Sequence, residues 1–246
     1  MIKKLALIIG FIICLSSCGK DYVYRIEGEL SNLEDQTVYA VFEKDNYKVV
    51  DTVACTKPGQ FQIDQNEAGF HCVTIFFADK EHWVTAYLEP GETVKITGDA
   101  NSPLLLQVKG GRTNDKLTAF KKKIAPLLTE LTNLSNSLNS KDLNDTIEET
   151  DIAARLANVN MQLSEEAIRY VKENPNEEAS VVLIQSFFSD PDDTRKIDEL
   201  LALLNPRLKD FYLVKELEQY SARAKRTALG ADCLLYTSPS PRDKRQ

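Results

Sequence analysis

Cys18 carries the most definite chemistry in this chain. It closes Leu15-Ser16-Ser17-Cys18, which follows Lys3-Lys4 and an apolar run from Leu5 to Ile13. A basic start, a short apolar stretch and small residues before a cleavage point make a secretory signal. The apolar run is too short to span a bilayer as a mature helix. Leu-Ser-Ser-Cys has the form of a lipobox, in which the signal is cut before Cys18 and its thiol receives lipid. The alternative is an ordinary signal cut near Ser17 that leaves Cys18 as a free thiol. Cys14 is the poorer acceptor, because Ile13 before it is bulky where cleavage needs a small residue. The expectation is a lipid-anchored protein of the cell envelope, in the outer membrane or facing the periplasm, with residues 1–18 as its lipoprotein signal.

The remaining reactive side chains are few. Cys55 and Cys72 stand seventeen residues apart in the body of the chain. An oxidising compartment permits a disulfide between them, while free cysteines also serve as small buried hydrophobes. His71, Cys72 and His82 could in principle meet at a metal, but zinc wants three or four ligands in a closed set and the chain has only two histidines. Trp83, Tyr87 and Phe76-Phe77 could line a ligand groove or pair across strands. Asp190, Asp192 and Asp193 could suggest calcium, and their place at a helix start explains them as well. Tyr22 and Tyr24 could touch a membrane surface beside the anchor, or pack within a strand. There is no Cys-x-x-Cys, Gly-x-Ser-x-Gly, P-loop, dinucleotide fingerprint or His-Glu-x-x-His. No catalytic residue, cofactor site or metal ligand is assigned.

Short alternating runs must position these residues. Gly19 to Asp21 is a tether. Strands are expected at Tyr22–Leu30, Thr37–Glu43, Tyr47–Cys55, Gly59–Asp64, Phe70–Ala78, Trp83–Leu88, Thr93–Thr97 and Leu104–Lys109, with turns at Pro58-Gly59 and Pro90-Gly91. Eight strands at short, even spacing predict an all-β antiparallel sandwich or partly open barrel over 19–109. At Gly110-Gly111 the period changes to three and four, which predicts a helical segment over 110–230. Helices are expected at Asn114–Ser137, with a kink or break at Pro126, at Leu143–Glu173, at Glu177–Phe188, from Asp190 through Leu204, and at Leu208–Ala228. Their apolar stripes fit a bundle packed on itself or on the sheet, or a partner surface.

Charge excludes one class of partner. Setting aside Lys3 and Lys4, and Arg242, Asp243, Lys244 and Arg245 near the end, leaves 25 basic against 36 acidic residues, a net charge near −11. Such a body repels phosphates, so no nucleic-acid partner is expected. It also repels anionic lipid, so the anchor must hold the protein at the membrane. The run Cys233 to Asp243 turns abruptly to Ser, Pro and Arg. It resembles the translation of a transposase sequencing adapter, which would make 231–246 a foreign tail and interrupt the natural reading frame near Asp232.

Several stretches together carry a family resemblance. They are the lipobox, the strand series, Leu88-Glu89-Pro90-Gly91-Glu92-Thr93-Val94-Lys95-Ile96-Thr97-Gly98-Asp99, and Val108-Lys109-Gly110-Gly111-Arg112-Thr113-Asn114-Asp115-Lys116-Leu117-Thr118-Ala119-Phe120. Over residues 19–232 the chain resembles the N-terminal domain of unknown function of certain Gram-negative lipoproteins. In those proteins a thioredoxin-like module of the alkyl-hydroperoxide-reductase and thiol-disulfide-oxidoreductase type comes next. The resemblance implies an accessory part of a thiol-disulfide oxidoreductase, non-catalytic as it stands, which positions or dimerises the redox module. The rival expectation is a stand-alone envelope lipoprotein whose β-domain binds a ligand or partner. The partners expected are the membrane through the anchor, and a second copy or another envelope protein.

Overall fold

The computed structural model describes residues 22–34, 37–45, 47–77, 81–140, 146–190 and 193–227. Cys14, Cys18, Pro191, Asp192 and the tail with Cys233 lie outside the described residues.

Strands form where period-two alternation predicts them. They are β1 (Tyr24–Ser31), β2 (Thr37–Glu43), β3 (Lys48–Ala54), β4 (Gln60–Gln65), β5 (Cys72–Phe76), β6 (Trp83–Tyr87), β7 (Thr93–Asp99) and β8 (Gln107–Lys109). In β1, Tyr24, Ile26, Gly28 and Leu30 are buried, while Arg25 and Glu27 between them reach outward. In β2, Val38, Ala40 and Phe42 are fully buried. The inward residues of all eight strands meet in one core, whose largest members include Phe42, Phe61, Phe70 and Phe77. Each such side chain removed from water stabilises the fold by roughly 1.5–3 kcal/mol.

The expected all-β antiparallel sandwich or partly open barrel is not what forms. The strands divide into two open four-stranded sheets, ordered β4-β1-β7-β8 and β3-β2-β5-β6. The barrel does not close. Nor is the pairing wholly antiparallel, because β1 and β7 run parallel, with Arg25 opposite Thr93 and Ser31 opposite Asp99. The physical reason is chain path. Hairpins join β2–β3, β5–β6 and β7–β8, but β1 waits some sixty residues for its second neighbour. By then the chain has crossed the other sheet and returns in the same direction. Six helices come after the strands, so the described chain as a whole is not all-β.

These helices are α1 (Arg112–Lys123), α2 (Ala125–Ser140), α3 (Thr146–Glu173), α4 (Glu178–Phe188), α5 (Arg195–Leu201) and α6 (Tyr212–Thr227). The helix expected over Asn114–Ser137, with a kink or break at Pro126, is two helices that part at Ile124, and Pro126 becomes the second residue of α2, where its missing N–H costs nothing. The helix expected from Asp190 starts later, at Arg195. There the Asp193 carboxylate accepts from the Arg195 N–H at 3.1 Å. Burial of every residue from Ala179 to Ile184 makes α4 the central helix. On one side it meets a core of Phe120, Ile124, Leu128, Val159 and Leu163. On the other it meets Ile197, Leu200, Leu213 and Leu217. Among the described residues no helix is long and apolar enough to cross a membrane.

Candidate functional site

Two polar seams join the strands to the helices, and the chemistry-bearing residues gather there. The first is built on Gly110-Gly111. Gly110 has φ 101°, and a side chain on it would strike the Thr93 carbonyl at 2.1 Å. This glycine lets the chain turn tightly against β7 and start α1 beside both sheets. Glu89, from the turn after β6, accepts from the free Arg112 N–H at 2.7 Å, so an acid sits at the positive end of α1.

Asn114 is 1% exposed. Its Oδ1 accepts from the Tyr87 N–H at 2.9 Å, and its Nδ2 donates to the Tyr87 and Gly110 carbonyls at 2.7 and 2.6 Å. The side-chain amide thus takes the place of a further strand on the edge of β6. One turn later, Thr118 does the same for β8: its hydroxyl accepts from the Val108 N–H at 3.1 Å and donates to the Val108 carbonyl at 2.5 Å. One helix therefore closes an edge of each sheet. The same helix grips α4 as well. The Arg112 guanidinium donates to both oxygens of Glu177 at 2.7 and 2.8 Å, and Thr113 donates to Glu178 at 2.9 Å. The Arg112 partnership holds the Glu177 carboxyl below its ordinary range.

The second seam lies where α6 meets the outer face of the sheet β3-β2-β5-β6. Lys48, Glu43, Cys72 and Tyr87 align across its four strands in one row. Lys48 pairs with Glu43. Tyr212, on the first turn of α6, stacks its ring on His71 with centroids 4.1 Å apart and planes 11° from parallel. His71 Nε2 lies 2.6 Å from Asp45 Oδ1. Burial, and next the Glu43 charge, push the Cys72 thiol up to about 12. Burial likewise raises the Tyr87 and Tyr212 hydroxyls, and burial with the Glu43 charge raises Glu216.

This arrangement does not make a nucleophile. A reactive thiol needs a cation or a helix N-terminus that outweighs its burial, whereas Cys72 is buried with its Sγ 3.7 Å from Glu43 Oε2, and burial and that acid outweigh Tyr212 and Lys48. His71 is committed to Asp45 and Tyr212 and forms no dyad with Cys72. A groove of about 1060 Å³ opens beside this seam, walled by Glu89, Glu178, Arg207, Lys215 and Tyr220. Its charges are of both signs and partly spent: Lys215 lies 3.5 Å from Asp210, and Arg207 donates to the Asn176 carbonyl.

Sheet register settles the positions of the other candidates. Cys72 stands opposite Glu43, while Cys55 comes directly after Ala54, which stands opposite Thr37. The two cysteines sit at opposite ends of β2, about 20 Å apart at ~3.3 Å per residue, far beyond disulfide reach. The two are not bonded to each other. His71 and His82 occupy opposite ends of the β5–β6 hairpin, bonded to Leu88 and Phe77 respectively. Among the described residues no cluster of three metal-ligating side chains occurs. Of the candidate groove aromatics, Phe77 is in the core, Phe76 and Trp83 are neighbours on the outer face, and only Tyr87 lines the groove. Tyr24 is a core residue whose hydroxyl accepts from the Gly69 N–H. Tyr22 lies under the Arg25 guanidinium at 4.0 Å.

Sequence reasoning places Asn114 and Thr118 only within a junction and misses Tyr212. For the first two a signal exists: they are polar residues in phase with the apolar stripe Leu117, Phe120 and Ile124. Tyr212 carries no such mark, since its partner His71 lies 141 residues away.

A strand-rich unit closed by the first turns of a helix, with further helices packed behind it, is the class of domain that this geometry defines. Residues 24–117 match the model of a family described as a domain of unknown function, DUF4369. The match runs from the start of β1 to the middle of α1 and so takes in Gly110 and Asn114. No curated protein and no solved structure matches the chain.

Proposed function

We propose that the chain is the non-catalytic, lipid-anchored N-terminal accessory part of a thioredoxin-like thiol-disulfide oxidoreductase of the cell envelope. In this reading Cys18 is the attachment point. Residues 22–227 form a stiff spacer that holds a downstream redox module at a set position. The observation that carries the reading is the first seam, where Asn114, Thr118, Arg112 and Thr113 bind both sheets to α4. Such investment in a fixed angle suits a positioning unit. The thiol chemistry points the same way, because Cys72 is kept protonated and Cys55 stands far from it.

Metabolic labelling with an alkyne fatty acid tests the anchor. The full chain should take up label and Cys18→Ser should not; equal labelling would overturn the lipid assignment. An insulin-reduction assay tests the absence of catalysis, and clear turnover by this chain would overturn it. The uninterrupted source gene should encode a Cys-x-x-Cys module downstream, and a gene ending soon after Asp232 would favour a stand-alone envelope lipoprotein.

A further inference from the structure

We draw no further inference here: the strongest candidate, the groove of about 1060 Å³ between α4, α6 and the turn after β6, holds charges of both signs whose acids Glu89 and Glu178 already accept from Arg112 and Thr113, and nothing in the structure shows what would fill it.

Discussion

At the scale of single residues, Asn114 and Cys72 do opposite things with burial. Asn114 is buried to satisfy a backbone that would otherwise be orphaned. Asn114→Ala leaves the Tyr87 N–H and carbonyl without their partner, and unfolding in urea should show a loss of about 2–4 kcal/mol. Thr118→Val, equal in shape, should cost about 1–3 kcal/mol by the same logic, while Thr118→Ser should recover most of it. Cys72 is buried to stay neutral. Its folded pKa of about 12 exceeds its ordinary value of 9.0. Between these values the unfolded chain releases a proton that the folded chain keeps. Stability is thus full below pH 9 and falls as pH rises toward 12, with a slope of up to ~1.4 kcal/mol per pH unit. Thermal unfolding of the full chain should show this alkaline loss, and Cys72→Ala should lessen it, leaving the loss above pH 10 that the raised Tyr87 and Tyr212 hydroxyls add. Sequence supplied the identity of both residues, but the alternation of β5 turns Cys72 to the outer face, where α6 buries it. Sequence could not supply the neighbour, since Glu43 and Tyr87 come from other strands.

Elements were more legible than their neighbours. The alternation of Tyr24 and Ile26, or of Val38, Ala40 and Phe42, marks a strand and its inner face within a residue or two. The same pattern is silent on pairing. Nothing local in β1 says that β7 lies beside it in parallel, because that contact is decided by how the intervening chain crosses the core. Helix limits failed where two signals competed. Asp190-Pro191 reads as a start, yet Asp193 supplies the observed acceptor. Gly28 shows the same limit within a strand. A side chain there would lie 2.2 Å from the Phe61 ring, its cross-strand partner. Gly28→Ala should therefore destabilise by about 1–3 kcal/mol, as overpacking does, and Phe61→Leu should relieve part of the cost. The edge strand β3 is guarded differently. Asp51 sits between Val49 and Val53 on its inward side, and inward charges on edge strands discourage added strands. Asp51→Val should raise aggregation, read by light scattering.

At the scale of the molecule, α6 joins the outer face of one sheet to α5. Its first turn is held to the sheet through Tyr212 on His71, while Lys225 and Ser221 tie its later turns to Asp198. Tyr212→Ala should open the second seam without unfolding the rest. Native-state alkylation read by mass spectrometry reports this directly. In the parent chain Cys55, which is half-buried, should label well before Cys72. In Tyr212→Ala the Cys72 rate should rise about tenfold with little change in thermal midpoint, in keeping with local opening. An unchanged Cys72 rate would mean that α6 is not its cover.

The parallel pairing of β1 with β7 has one more effect, on reach. Arg25 stands opposite Thr93, and Gly110 packs against that same Thr93. The chain therefore comes into the strand-rich unit and leaves it at one corner, about two strand spacings or 10 Å apart. The strands add almost nothing to the distance between residue 22 and the helices. They hang from the path as a side lobe, and tension along the chain passes their base instead of running through them. The helices are fixed to that base through α1 and α6, so the lobe turns with them as one piece, with Trp83 away from the base.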